Sequence, residues 1–338
     1  MKAHLSLLAA LLGFTAHGQI TFSVATLPHE IGDYNRAYLA TNVDVSGPLG
    51  NPGGPQRWDF SQPQASGEVI QRTDVVPPTD GGNQAPFPQA TYAERARNES
   101  TGALTWSYYQ VVPNQGREYY GFVDTNSNPD SPIKTFSAPT IDLPDPVQFT
   151  QTWTRSADFA DFAVLIDFEV HFTAQARVDA YGTVALPDLG VLPALRVNEV
   201  HEYDYIDLTF GAFNYTNYFR DYYWLAPGVG KAVEIISPGS NTGAPPENFT
   251  SAAAMTRVFE TGSVQPAAQT VSPLRLHLQD GQAILDWGAG ANASGYRVEF
   301  ASPLAAGNWS MCAEPFLNTW TEPVGTNAQR FYRVFAEP

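Results

Sequence analysis

The sequence is poor in cysteine and has few long apolar runs. Cys312 is the single cysteine among 338 residues, so the chain cannot form an internal disulfide. Stability must come from burial of apolar surface, and a chain of this length can bury a sizeable core. After residue 18 no stretch approaches the roughly 18 apolar residues that a membrane helix needs. We therefore expect no transmembrane segment in the mature chain.

Basic residues are also scarce. The chain carries 18 Lys and Arg residues against 34 Asp and Glu residues, which gives a formal net charge of −16. Nucleic acid and anionic lipid surfaces repel an acidic chain of this kind, so we expect neither as a partner. The acidic residues are scattered along the chain, which is typical of a well-solvated surface.

Residues 1–18 have the pattern of a secretory signal peptide. Lys2 supplies the positive charge, Leu5–Phe14 form a short apolar segment, and Ala16 and Gly18 are the small residues before a cleavage site. A buried N-terminal helix is the alternative interpretation. The signal pattern predicts export, with the mature chain located outside the cell, at its surface or in the periplasm.

Strands joined by many turns are the structure that the composition favours. Gly and Pro each number 27, and aromatic residues reach 13%. The clearest pattern runs from Ile166 to Ala180, where every even position is apolar and the odd positions from Asp167 to Asp179 are polar. A period of two places the two sets on opposite faces of a strand. Since this strand is unusually long, we expect it to bend.

Further strand patterns surround this segment. They lie at Glu68–Val76, Leu104–Val112, Glu118–Val123, Leu195–Leu208, Phe213–Leu225, Lys231–Ile236 and Met255–Phe259. Consecutive strands with short turns form an antiparallel meander. A change of phase near Glu199 predicts a β-bulge there. The predicted fold class is all-β: a large curved antiparallel sheet, as a half-barrel or an open sandwich, followed by a small β-sandwich.

The chain divides into four predicted parts. Residues 1–18 are the signal peptide, and residues 19–262 form a β-rich domain. A polar, Pro-containing linker follows at 263–272. Residues 273–338 form a separate small unit.

This last unit resembles a fibronectin type III domain. Ala283–Trp287 ends in a tryptophan of the kind that such domains bury, and Gly295–Phe300 carries an inward-facing tyrosine at its second position. Leu274–Leu278 and Phe331–Phe335 are similar to the first and last strands of the family. The resemblance implies a spacer or binding module rather than a catalyst.

The remainder of the chain is similar to exported β-rich envelope proteins of unknown function from bacteria. Gly54–Ser61 is similar to a Gly-x-Gln-x-Trp-Asp-Phe-Ser run near the mature N-terminus of such proteins. Tyr222–Gly230 contains a run similar to the Trp-x-Ala-Pro-Gly-Val-Gly turn of curved-sheet envelope proteins. These resemblances imply a location and a fold, and they carry over no functional residue.

Residues that could perform catalysis are not grouped in the sequence. It contains no Gly-x-Ser-x-Gly elbow, and no histidine lies near Cys312 in sequence. His29–Asp33 has the glutamate of a zinc-protease motif but ends in aspartate instead of histidine. A non-catalytic protein is therefore the favoured interpretation, and an enzyme is the alternative.

Two sets of residues are weak candidates for binding a metal ion. Asp124, Asn126, Asn128 and Asp130 place oxygen ligands at every second position, as calcium loops do, although Pro129 stands where an EF-hand has glycine. An Asn/Asp-rich turn is the favoured interpretation and calcium the alternative, with no other cofactor expected.

The second set is His171 and His201, which lie on neighbouring predicted strands beside carboxylates. They would meet at one cation only if the two strands pair in a suitable register. A solvated polar face is the favoured interpretation.

Aromatic residues crowd the segment from 203 to 224. A ligand platform is predicted from six of them: Tyr203, Tyr205, Tyr215, Tyr218, Tyr222 and Trp224. The favoured alternative is that these rings belong to the core.

A non-catalytic exported protein, which binds an unidentified protein or glycan at the cell surface or in the periplasm, is the predicted function. One alternative is a carrier of an apolar ligand in a cavity lined by Phe168, Val170 and Phe172. Another is an uncharacterised carbohydrate-active enzyme, which needs two acids in a cleft beside exposed rings.

Overall fold

The computed structural model describes residues 20–126, 131–163, 165–264, 269–271, 273–288, 295–301, 309–313, 315, 317–324 and 330–337. The predicted signal peptide, together with Asn128 and Asp130 of the predicted calcium loop, lies outside these residues. The chain divides into two compact units. The larger comprises the chain up to His29 and Asn35–Thr261, and the smaller comprises Glu30–Tyr34 and Gly262–Pro338.

Fifteen strands precede the C-terminal part of the chain. They are β1 (Thr21–Phe22), β2 (Asp33–Asp44), β3 (Gly53–Asp59), β4 (Val69–Val76), β5 (Tyr92–Asn98), β6 (Leu104–Val112), β7 (Gly116–Asp124), β8 (Ile133–Pro144), β9 (Val147–Gln148), β10 (Thr152–Ala163), β11 (Ile166–Leu186), β12 (Gly190–Asp207), β13 (Tyr215–Ala226), β14 (Gly230–Ile236) and β15 (Ser251–Ser263). Short 3-10 turns at Val24–Thr26 and Asp80–Gly82 are the helical segments of the described residues. Among the described residues, no helix is both long enough and apolar enough to cross a bilayer.

Thirteen of these strands form one sheet. Its order is β10-β11-β12-β13-β14-β15-β2-β4-β5-β6-β7-β8, and β3 pairs in parallel with the second half of β11. β1 and β9 form a separate antiparallel pair. The prediction of an all-β fold with a large sheet is confirmed. The sheet is open, and the parallel strand β3 makes it mixed rather than wholly antiparallel.

β11 confirms the alternation on which the fold prediction depends. Each even residue from Phe168 to Ala180 is buried, and the odd residues from Asp167 to Arg177 are exposed or half-buried. Asp179 interrupts the pattern, because it is the extra residue of a β-bulge between Val178 and Ala180.

The predicted bulge near Glu199 is wrong, since β12 pairs there without a register shift on either side. The bulge lies instead in β11 at Asp179. It places the Asp179 carboxylate where it accepts two hydrogen bonds from Arg196, at 2.8 and 2.9 Å. Since Arg196 is only 1% exposed, its charge needs this partner.

The sheet has an inner face and an outer face. In the β12–β13 hairpin the pairs Glu199–Asp221, His201–Phe219 and Tyr203–Asn217 lie on the inner face, and the pairs Arg196–Trp224, Asn198–Tyr222 and Glu202–Tyr218 lie on the outer face. Where β12 begins and β13 ends, apolar clusters cover both faces of the sheet. On the outer face Trp58 and Phe60 pack edge-on against Trp224. On the inner face Phe22 and Val24 belong to the covering cluster.

Inner-face side chains from the two ends of the strand order contact each other. Arg155 of β10 donates hydrogen bonds to Asp142 of β8 and to Glu199 of β12. Arg117 of β7 donates to Asp142 and to Glu94 of β5. Because β10 and β8 are the first and last strands of the order, the sheet must curl so that its inner face is concave.

The smaller unit contains two antiparallel sheets. Its strands are β16 (Gln269–Thr270), β17 (Leu274–Gln279), β18 (Gln282–Trp287), β19 (Gly295–Ala301), β20 (Ser310–Ala313), β21 (Thr319–Pro323) and β22 (Phe331–Glu337). One sheet has the order β16-β22-β19-β20 and the other β17-β18-β21. Trp287 and Tyr296 are buried with their ring centroids 5.3 Å apart. The resemblance to fibronectin type III domains stays a prediction.

Gly182 of β11 marks a close contact between two backbones. A Cβ atom at this position would lie 2.0 Å from the carbonyl oxygen of Gln56 in β3. Because the contacting atom is backbone, no change of rotamer relieves the clash. We expect Gly182→Ala to lower the free energy of unfolding by about 1–3 kcal/mol, measured by urea denaturation. Gly47→Ala is the control, since no described atom lies within 4 Å of its added Cβ. An equal effect of both changes would contradict the β3–β11 contact.

Candidate functional site

A cleft of about 500 Å³ opens on the inner face of the sheet. Its apolar walls are the rings of Phe122, Phe159, Tyr203, Tyr205 and Phe219. Its acidic and basic side chains are Asp124, Lys134, Asp161, Asp221, Lys231 and Glu234, with His201 and Asn217 beside them. A second pocket of about 200 Å³ shares part of this lining and extends to Asp142 and Arg155. The cleft thus combines aromatic walls with a few converging polar groups.

The two-residue period of the strands places these rings together. Tyr203 and Tyr205 follow His201 on the inner face of β12. The ring of Tyr205 stacks on Tyr215 of β13, with centroids 4.4 Å apart and planes inclined by 7°. The ring of Tyr203 contacts Phe172 at 4.8 Å between centroids. Cross-strand aromatic contacts of this kind fix the rings in place.

Deeper on the inner face lies a network of buried charges. The Nε atom of Arg155 lies 2.6 Å from Oε1 of Glu199, and its Nη1 atom lies 3.1 Å from Oδ1 of Asp142. The exposed fractions of the three side chains are 7%, 1% and 6%. Burial alone would raise the pKa of both carboxyls, but the arginines outweigh it and hold the pKa of Glu199 and of Asp142 below the usual values. Both acids are therefore ionised at neutral pH.

Asp221, another acid of the cleft, has a raised pKa rather than a lowered one. The residue is 3% exposed, and its Oδ1 atom has no hydrogen-bond partner among the described residues. Its carboxyl group is in hydrogen-bond contact with Glu234, which in turn accepts a 2.9 Å hydrogen bond from Lys231. Burial, followed by the charge of Glu234, raises the pKa of Asp221 well above its usual value. Lys231 outweighs burial at Glu234 and keeps the pKa of that carboxyl low. Asp221 is therefore the acid of the pair that retains a proton.

The six residues of the predicted aromatic platform are divided between the two faces. Tyr203, Tyr205 and Tyr215 lie on the inner face, where the first two line the cleft. Tyr218, Tyr222 and Trp224 lie on the outer face. A single platform is therefore wrong, because odd and even positions of β13 point in opposite directions. Tyr222 and Trp224, which are 2% and 0% exposed, belong to the outer core.

His171 and His201 do not meet. In the β11–β12 register His201 pairs with the buried Ala174, whereas His171 pairs with Asp204 on the outer face. The Nδ1 atom of His171 lies 2.7 Å from Oδ1 of Asp158, and this hydrogen bond raises the pKa of His171. A cation shared by the two histidines is excluded, because they lie on opposite faces of one sheet.

The described half of the predicted calcium loop forms a turn. The Oδ1 atom of Asp124 accepts a hydrogen bond from the backbone N–H of Asn126 at 2.9 Å, and the Asn126 side chain donates to the carbonyl of Leu104. Within the described ranges, no group of three or more His, Cys, Asp or Glu side chains is arranged to hold a metal ion. A calcium site that includes Asn128 and Asp130 stays a prediction.

Sequence reasoning missed Asp221, Lys231, Glu234 and Arg155. The signal for Asp221 is its position two residues after Phe219 and two before Tyr223, in phase with inward-facing rings. Both phases of this strand carry aromatic residues, so the sequence alone does not identify the inner phase.

Comparisons with protein-family models, with curated proteins and with solved structures return no match.

Proposed function

We propose that this chain is a non-catalytic exported binding protein that holds a small ligand in the inner-face cleft. The observation that carries the proposal is the cleft itself: about 500 Å³, with five phenyl or phenol rings around a few converging polar groups. Ligand pockets are typically concave, of about 300–1,000 Å³, and lined by aromatic residues with a small number of placed polar groups.

The contact between Asp221 and Glu234 argues against their use as the acid pair of a glycosidase. Asp221 and Glu234 are in hydrogen-bond contact, whereas the two carboxyls of a glycosidase stand roughly 5–10 Å apart to accommodate a sugar and, in inverting enzymes, a water molecule. A pair in contact shares a proton instead.

The same lining favours a partly polar ligand over a purely apolar one. Phe168, Val170 and Phe172, which a lipid-like carrier needs as an open lining, are 6%, 0% and 4% exposed and belong to one packed cluster. Lys231, Glu234 and the polar carboxyl group of Asp221 lie in the cleft.

Export to the cell surface or the periplasm is supported by the signal pattern of residues 1–18. The smaller unit, with two sheets around Trp287 and Tyr296, supports a role for it as a fibronectin type III-like spacer or docking module. In this proposal an unidentified protein or glycan at the surface is the partner of that unit.

A ligand screen with two matched variants tests the proposal. We expect compounds from a library of sugars, amines and carboxylic acids to raise the Tm of the wild-type protein. We expect Tyr205→Ala, which removes a ring from the cleft, to weaken binding of such a compound about tenfold, measured by isothermal titration calorimetry. Tyr218→Ala removes an outer-face ring and should leave the affinity unchanged. Equal effects of the two variants, or a library without a binder, would contradict the proposal.

A further inference from the structure

The acids and bases of the cleft are not fully paired. Lys134 lies 2.6 Å from Asp161, and Lys231 lies 2.9 Å from Glu234. Among the described residues no lysine or arginine forms an ion pair with Asp221, and its Oδ1 atom is buried without a hydrogen-bond partner. Leaving such an oxygen without a hydrogen bond destabilises the folded protein. A ligand that supplies a donor at this position recovers that free energy.

The rings of the cleft are suited to a cation. Tyr203, Tyr205 and Phe219 come from two neighbouring strands, and Phe159 and Phe122 lie on the other strands of the lining. The face of an aromatic ring attracts an organic ammonium group within about 6 Å of its centroid. Aromatic rings together with a carboxyl oxygen that lacks a hydrogen-bond partner suit an organic cation.

We propose that the ligand of this cleft is an organic ammonium ion, which donates a hydrogen bond to the Asp221 carboxylate and places its charge against the rings of Tyr203 and Phe219. The proposal rests on the proposed function, namely that the cleft binds a small ligand. The χ2 torsion of an aspartate side chain is broad and roughly two-fold, so either carboxylate oxygen of Asp221 can face the ligand.

Binding exchanges a proton of the site for the ammonium ion. In the free protein the Asp221 carboxyl holds a proton that it shares with Glu234. When the ammonium ion binds, the O–H bond of Asp221 breaks, the proton passes to solvent, and the carboxylate accepts an N–H hydrogen bond from the ligand. One proton is released for each ligand bound, and the net charge of the site does not change.

Several charged groups on neighbouring strands influence this exchange. They are Lys231 and Glu234 of β14, Glu199 and His201 of β12, Asp142 of β8 and Arg155 of β10. Glu199, Asp142 and Arg155 are already paired with one another. Asp221 is therefore the group whose ionisation changes when a cation enters.

An anion or a neutral ligand suits the lining less well. Four acids, Asp124, Asp161, Asp221 and Glu234, face two lysines, Lys134 and Lys231. Even with Asp221 protonated, the acids of the lining outnumber its lysines, so an anion is repelled. A neutral hydroxyl compound leaves the Asp221 proton in place, so its binding should not depend on pH.

The test compares two probes of the same shape. Phenethylammonium chloride and 2-phenylethanol are titrated into the full-length mature protein by isothermal titration calorimetry, in phosphate and in HEPES, whose ionisation enthalpies differ. We expect the ammonium probe to bind at least tenfold more tightly than the alcohol and to release about one proton. Because binding releases this proton, the affinity should increase with pH, by up to tenfold for each pH unit, in the range below the pKa of Asp221. The pH series uses the wild-type protein, so it does not depend on the folding of any variant.

Two variants test whether the preference for ammonium and the proton release arise from the carboxyl group of Asp221. Asp221→Asn keeps the size of the side chain but cannot ionise, so it should abolish the preference for ammonium and the proton release. Asp167→Asn makes the same substitution at an exposed carboxyl group on the outer face and should retain both. Equal affinity of the two probes for the wild-type protein, or binding of the ammonium probe without proton release, would overturn the ammonium inference and leave the proposed function intact. Failure of both probes also overturns the inference, whereas the proposed function fails only if the wider library contains no binder.

Discussion

Arg155→Leu is expected to lower the free energy of unfolding of the larger unit by about 3–5 kcal/mol. Glu199 and Asp142, which are 1% and 6% exposed, would keep their negative charges but lose the guanidinium that lies 2.6 and 3.1 Å from them. Asp142 would keep its hydrogen bond from Arg117, whereas Glu199 would lose its arginine partner. An uncompensated buried charge is far less stable than an exposed one. Urea denaturation followed by tryptophan fluorescence measures the effect.

The pKa values of Glu199 and Asp142 determine how the destabilisation by Arg155→Leu depends on pH. Their pKa values are held below the usual range in the folded protein. Carboxyls of this kind contribute stability above the pKa of the unfolded chain, and the contribution is lost as the pH falls through the folded pKa. The difference between Arg155→Leu and the wild type should therefore shrink as the pH is lowered from 7 into the acid range.

An exposed ion pair provides the control for Arg155. The Arg177 side chain is 47% exposed, and its Nη2 atom lies 3.7 Å from Oε1 of Glu247. We expect Arg177→Leu to change stability by less than about 1 kcal/mol, as is usual for surface pairs. If Arg155→Leu had an effect as small as this, the buried network would not be a stabilising part of the fold.

Asp221→Asn is expected to become increasingly stabilising, relative to the wild type, as the pH rises. The folded protein holds the pKa of Asp221 above the value that this carboxyl has in the unfolded chain. The unfolded chain therefore releases the proton first, and the wild-type protein loses stability as the pH rises from the unfolded pKa to the folded one. The loss is about 1.4 kcal/mol for each pH unit in that window. Asparagine does not titrate and has no such loss.

Urea denaturation of both proteins between pH 4 and pH 8 checks this expectation. The two stability curves should lie close together at the acid end and separate towards pH 8. Asp167→Asn is the control, because Asp167 is exposed on the outer face. A constant difference between Asp221→Asn and the wild type across this range would show that Asp221 is ionised throughout.

The binding site was only partly predictable from the sequence. Tyr203 and Tyr205 were singled out and do line the cleft. Tyr222 and Trp224 were singled out with them but lie in the outer core, since the sheet is covered on both faces beside the β13–β14 turn. Where both phases of a strand carry large rings, alternation cannot tell which phase faces a cleft and which faces a second layer.

The charged groups of the cleft depend on contacts that no local pattern specifies. Asp142 and Glu199 are 57 positions apart in the chain, yet Arg155 bridges them because the sheet curls. Asp221 and Glu234 meet because β13 and β14 pair in one register out of several that are sterically allowed. The state of each carboxyl then follows from its burial and its neighbours, which sequence spacing does not contain.

The strand character of the chain follows from its sequence, because the side chains of a strand alternate with a period of two and this period is visible in Ile166–Ala180. The sequence also determined the acidic balance and the lack of an internal disulfide. The pairing and curl of the strands set which face of the sheet is concave, which rings line the cleft and which carboxyl group keeps its proton. Those properties arise from side chains far apart in the chain, whose distances are fixed by strand order, register and curl rather than by local sequence.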